Sequence, residues 1–172
     1  ILLLLAQHPE PSDLGVVARY AETLGEEGKV ARAGFLAARA FESVDPSGGG
    51  EMGRHIREHD WSSTDLGDPG GWPQSLRTVI RLMLNTRHPI FIFWGPNALC
   101  FYNDAYSASL GPEKHPVGLG QPGHIVWAEI WPTIGPQVVQ VMAGGAATWF
   151  ENQLIPITRF GALEEAYWTY SY

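Results

Sequence analysis

Positive charge is scarce in this sequence. Eighteen Asp and Glu outnumber eleven Lys and Arg, a net charge of −7, and no short window gathers more than two basic residues. The electrostatic footprint of a nucleic-acid binder is therefore missing. Cysteine is almost absent as well: Cys100 stands alone, which permits no internal disulfide and fits a reducing, cytoplasmic setting. Long apolar runs are lacking. Ile1 to Ala6 spans six residues, far short of a bilayer crossing, and has neither the basic leader nor the cleavage site of a signal peptide. No membrane span is expected within these residues. There is also no initiator Met, so the expectation is that the chain begins inside a longer protein. No G-x-S-x-G elbow, P-loop or G-x-G-x-x-G is present, nor a phospho-accepting His segment or kinase nucleotide box. No enzyme is expected within this stretch.

Aromatic rings are plentiful: seven Trp, six Tyr and seven Phe in 172 residues. Such rings suit a core wrapped around a cavity, or an interface. An apolar fraction of 45% with 17% charged residues fits a globular chain and argues against wholesale disorder.

Taken in order, residues 1–44 read as a helical hairpin, with apolar residues at Leu14, Val17, Ala18, Ala21 and Leu24 in a helical period. The spacing Gly28, Ala33, Ala40 resembles half of a tetratricopeptide repeat, yet no second copy follows, and one repeat cannot bury its own face. Asp45-Pro46-Ser47-Gly48-Gly49-Gly50 is linker chemistry and sets a domain boundary. Residues 51–172 form the main domain. Glu51 to Asp60 is a short polar helix. Leu76, Val79, Ile80, Met83 and Leu84 give an amphipathic helix one apolar face, and Pro89 ends it. Ile90–Trp94 and Ala98–Tyr102, joined by Gly95-Pro96-Asn97, are a β-hairpin; Asn103 then caps a new helix. Short helices over 124–130 and 132–142 precede two strands, 147–158 (broken by Pro156) and 165–172. In the last strand Trp168, Tyr170 and Tyr172 alternate with Tyr167, Thr169 and Ser171, so both faces carry rings and the buried one stays open. The order predicts an α+β fold with an antiparallel sheet.

His55-Ile56-Arg57-Glu58-His59 matches the inverted zinc-protease pattern H-x-x-E-H. A solvated polar helix is the better account of it, and no metal ligand is assigned. Cys100 lies mid-strand, where a small buried thiol is commonplace.

From Asp60 to Tyr172 the chain resembles bacterial PAS sensor domains found N-terminal to sensor histidine kinases and related outputs. The segments that carry the likeness are DWSSTDLG at 60–67, GWPQSLRTVIRLML at 71–84, the hairpin with Trp94-Gly95-Pro96, Tyr102-Asn103-Asp104-Ala105-Tyr106, Lys114-His115-Pro116, the run 126–131, and Thr169-Tyr170-Ser171-Tyr172. The resemblance implies a five-stranded antiparallel sheet with helices over one face and room for a small ligand between them. It implies a homodimer, and an output domain of the same polypeptide outside these residues. The family's last strand pairs centrally, beside the first; only four strands are counted here. That central strand is therefore expected to be missing, the domain C-terminally incomplete and one side of 90–94 open.

The function implied is a signal-transduction sensor or interaction module that relays a ligand-dependent rearrangement. A non-sensing assembly scaffold is the alternative, and a zinc hydrolase through His55, Glu58 and His59 a distant third. The candidate pocket residues are Phe91, Phe93, Trp94, Phe101, Tyr102, Asn103, Tyr106, Trp127, Trp131 and Trp149. The ligand is not named. Haem and flavin are disfavoured: the helix at 132–142 contains no His, and the Asn-Cys-Arg setting of flavin-binding relatives is absent.

Overall fold

A three-stranded sheet organises the structure, a computed structural model that describes residues 49–172 and the backbone of residues 2–6. Strand β1 (Leu2–Ala6) lies parallel to β2 (Ile90–Trp94), with Leu2 opposite Ile90 and Ala6 opposite Trp94. On its other side β2 pairs antiparallel with β3 (Leu99–Tyr102), Phe91 opposite Tyr102 and Trp94 opposite Leu99. The predicted hairpin is thus present, its turn closed by the Ala98 amide donating to the Gly95 carbonyl at 2.9 Å.

Two expectations need correction at this sheet. Leu2–Ala6 is strand rather than the start of a helix, and it occupies the side of β2 that was expected to stand open. A short all-apolar run carries no periodicity to separate a buried strand from a buried helix. An unpaired row of β2 amides and carbonyls decides in favour of the strand. The expected hairpin over 1–44 and linker over 45–50 otherwise lie outside the described residues, apart from Gly49 and Gly50.

Both faces of the β2–β3 hairpin are buried, not one. Alternation places Phe91, Phe93, Cys100 and Tyr102 on one face and Ile90, Ile92, Trp94, Leu99 and Phe101 on the other. All nine are apolar or ring-bearing and all are buried, the pattern of a strand pair covered twice. Phe101 stacks on Trp61 (ring centroids 5.2 Å) and meets Trp72 edge-on (5.9 Å). Two single-turn helices, Trp61–Ser63 and Pro69–Gly71, bring these indoles close by. Helix α1 (Gly50–Glu58) and helix α2 (Gln74–Leu84) pack together, and α2 also contacts β1, β2 and β3.

Helix α3 (Asp104–Ser107) follows β3 directly, and its Asp104 carboxylate accepts the Glu51 and Met52 amides at 3.1 and 2.7 Å. This caps the first turn of α1, where backbone amides lack helical partners. The outer edge of β3 is covered by the loop before helix α4 (Gly123–Val126): Cys100 donates to the Gln121 carbonyl, and Gly120 and Gly123 donate to those of Cys100 and Ala98. Helix α5 (Trp131–Met142) follows and contacts β1. Gly135 leaves room for the Trp131 ring, since a Cβ there would lie 2.8 Å from the indole nitrogen.

The C-terminal strands form two further ladders instead of joining the first sheet. β4 (Phe150–Leu154) pairs with β7 (Tyr167–Tyr170), with a bulge between Phe150 and Gln153; β5 (Ile157–Arg159) pairs with β6 (Ala162–Glu164). Pro156 has no amide to donate and splits the predicted strand 147–158. Phe160 and Gly161 both adopt positive φ (54° and 73°), the requirement of the tight turn that joins β5 to β6. The residues are mixed helix and strand, an α+β arrangement in which the β1–β2 pair is parallel, against the antiparallel expectation, and the other strand pairs are antiparallel. None of the helices among the described residues is long and apolar enough to cross a membrane.

Polar ties hold the β5–β6 hairpin to the preceding loop. The buried Lys114 ammonium donates to the Thr158 carbonyl at 2.8 Å and pairs with Glu129 at 2.6 Å. Glu113 accepts the Phe160 and Gly161 amides at 3.1 and 2.6 Å. Backbone hydrogen bonds, the largest contribution being that of its own amide, hold the Glu113 carboxyl below its ordinary value of 4.5. A depressed carboxyl stabilises the fold above the unfolded value, and the benefit is lost as pH falls through the folded one. The Phe160 and Gly161 amide resonances are therefore expected to titrate with a midpoint below 4.5, and Glu113→Gln should abolish that titration. A midpoint at or above the ordinary value would contradict the capping role.

Candidate functional site

An apolar cleft of about 40 Å³ lies between the sheet, α5 and β7. Phe91 and Phe93 of β2, Tyr106 of α3 and Trp127 form one part of its lining. Ile130, Ile134, Ile155, Trp168, Tyr170 and Tyr172 complete it. No charged side chain is among them. The rings touch in a chain: Phe91 meets Phe93 and Tyr106 at 4.9 Å and Trp127 at 5.6 Å, and Phe93 meets Tyr172 at 6.1 Å. The volume admits about three or four waters by the usual size of a water site, of order 10–15 Å³ each.

Two of the polar tips in the wall, those of Trp168 and Tyr170, are engaged by the protein itself. Trp168 Nε1 donates to the Ile155 carbonyl at 3.2 Å, and the Tyr170 hydroxyl sits 2.6 Å from Gln153 Oε1 and 3.1 Å from Gln137 Oε1. Burial pushes the Tyr106 and Tyr172 phenols well above their ordinary range, so both remain neutral. What the cleft offers is dispersion and aromatic contact, suited to a small uncharged apolar or aromatic group.

Four of the ten candidate residues line this cleft: Phe91, Phe93, Tyr106 and Trp127. Trp131 stands just behind it, its ring edge-on to Phe93 at 5.9 Å. Tyr102 shares the face but turns its hydroxyl to His115 Nδ1, 3.2 Å away. Trp94 and Phe101 are buried on the opposite face of the hairpin. Asn103 is a structural joint, its Oδ1 accepting the Ile90 and Tyr106 amides at 3.1 Å each. Trp149 is 65% exposed and lies in a separate open groove of about 410 Å³ with Leu82, Thr86 and His88.

Sequence reasoning missed Ile130, Ile134, Ile155, Trp168, Tyr170 and Tyr172. The signal for the last three was their alternation along the final strand. With rings on both faces, that pattern could not say which set was buried until β4 paired with β7.

The H-x-x-E-H residues share the wall of an open surface groove with Pro116, Val117 and Leu119, yet among the described residues their ligand atoms do not form a metal-holding cluster. Glu58 pairs with Arg54 at 3.0 Å, and the His59 ring lies 4.4 Å from that of Trp61, where burial lowers its pKa. Cys100 is fully buried, its thiol 3.8 Å from the Ala98 carbonyl, and burial raises its pKa. It is an unreactive core group. Comparison with family models, with curated proteins and with solved structures gives no match.

Proposed function

We propose that residues 51–172, with β1 beside them, act as a PAS-like sensor or interaction module of a signal-transduction protein. The module is non-catalytic and cytoplasmic, works as a homodimer, and passes a change of arrangement to an output domain outside these residues. The observation that carries this reading is the uncharged, ring-lined cleft between the hairpin, α5 and β7. A strand beside β2, on the side where the resemblance puts the family's final strand, supports it further. A ligand that prefers one of two arrangements of the cleft shifts their populations by its differential affinity.

The test is native mass spectrometry of the purified chain, with a tryptophan-fluorescence titration using small apolar and aromatic probes. One bound molecule per chain and quenching that is reduced in Trp127→Phe, with the remainder coming from Trp168 in the same wall, are expected. No bound mass and no spectral response would remove the sensing function.

Assembly without sensing is the second reading, favoured by the cleft's small volume and by exposed Trp149, Phe160, Leu163 and Tyr167. Under it, the dimer forms with the same affinity whether or not any probe is present.

A further inference from the structure

Two histidines and a carboxylate meet at the surface between α1 and the loop that follows α3. Glu51 and His55 lie one turn apart on one face of α1, with His55 Nε2 3.6 Å from Glu51 Oε1. His115 arrives from 60 residues further along the chain, its Nε2 3.8 Å from the same oxygen. The three ligand atoms all lie within 4.8 Å of one another, and the two imidazoles stand at 87° with centroids 5.9 Å apart. We propose that Glu51, His55 and His115 form a binding site for a divalent transition metal of the zinc class.

Donor chemistry and spacing support this assignment. Imidazole nitrogen and carboxylate oxygen bind zinc at about 2.0–2.2 Å, which separates neighbouring tetrahedral ligands by about 3.4 Å. The separations of 3.6 and 3.8 Å need only small side-chain movement to close on an ion. Two neutral imidazoles with one carboxylate favour zinc, copper or nickel over magnesium and calcium, which prefer all-oxygen sites.

The supporting shell is in place. The Tyr102 hydroxyl, 3.2 Å from His115 Nδ1, engages one ring nitrogen and leaves Nε2 facing Glu51, the outer contact that orients metal-binding histidines. The Asp104 carboxylate fixes the α1 terminus that carries Glu51. Glu51 is 56% exposed, while His55 and His115 are mostly covered, so a fourth position stays open to water. A surface groove lined by His55, Glu58, His59, Pro116, Val117 and Leu119 adjoins it. An occupied site ties α1 to the loop 111–122 and, through Tyr102, stands one ring from the cleft, since Tyr102 stacks on Phe91 at 5.7 Å.

Calorimetry with Zn²⁺ and visible spectroscopy with Co²⁺, on the untagged chain, test the site. One ion per chain and a cobalt band typical of a four-coordinate centre are expected. Removing a ligand by Glu51→Gln or His115→Ala should weaken binding more than about 100-fold, and Tyr102→Phe about 10-fold, given that outer-contact losses run 10–100-fold. His59→Ala should bind as the parent does, which separates this site from the H-x-x-E-H pattern. Because the Glu51 side chain is exposed, Glu51→Gln keeps the fold and carries the test even if His115→Ala unfolds. Absence of stoichiometric zinc binding overturns the proposal. So does binding that survives Glu51→Gln and His115→Ala but is lost in His59→Ala.

Discussion

Asn103→Ala is expected to lower stability by about 3–5 kcal/mol, measured by urea unfolding, since each buried group left without its partner costs about 1–3 kcal/mol. Asn103 is 2% exposed and sits where three elements meet. Its Oδ1 accepts the amide of Ile90, where β2 begins, and that of Tyr106 in the first turn of α3. Its Nδ2 donates to the carbonyls of Met83, Thr86 and His88 at 3.1, 3.0 and 2.8 Å. One side chain thus caps the start of α3, closes the end of α2 and anchors the first rung of β2. Alanine removes every one of these bonds. Asn103→Asp keeps the acceptor yet sets a carboxylate against three carbonyls, so it too should be severely destabilising. Asn103→Ser retains only the cap, which is worth about 1 kcal/mol, and should fall between wild type and alanine. A loss below about 1 kcal/mol for alanine would mean that water replaces these bonds and that the joint is not structural.

The sequence shows only part of this joint. An Asn before Asp-Ala-Tyr announces a helix cap, because capping is local. The bonds to Met83, Thr86 and His88 span 15 to 20 residues, and no spacing rule reaches that far. The same division runs through the fold. The hairpin around Gly95-Pro96-Asn97 and the helix at 74–84 were legible because turn chemistry and amphipathic period are written within a few residues. Leu2–Ala6 was not, since its state is set by the edge of β2, more than eighty residues away. The cleft was half legible. Phe91, Phe93, Tyr106 and Trp127 follow from a ring-rich hairpin and its neighbours, whereas Trp168, Tyr170 and Tyr172 needed the pairing of β7 to choose a face. At the surface, the attractive spacing of His55 and His59 concealed the juxtaposition that exists, because His115 joins Glu51 and His55 only through the fold.

Phe91→Ala, the second large effect, is expected to cost about 3–5 kcal/mol, the usual range for removing a buried phenyl ring. Phe91 is 1% exposed and is the hub of the cleft wall, touching Phe93, Tyr106 and Trp127 and stacking on Tyr102 with planes 9° apart. The cost depends on whether the neighbours relax into the space. Here they are large rings, held by Trp168 to the Ile155 carbonyl and by Tyr102 to His115, so collapse is limited and the void merges with the existing 40 Å³. An apolar hole of roughly 150 Å³ stays dry and accepts benzene. Thermal unfolding with and without benzene therefore reads the rigidity of the wall directly. Benzene at a hundred times its dissociation constant should restore about 2.7 kcal/mol to the variant and little to the parent. A stability loss under about 1.5 kcal/mol with no rescue would mean that the wall closes on itself. The cleft would then be ordinary core, and the sensing function would lose the observation on which it rests.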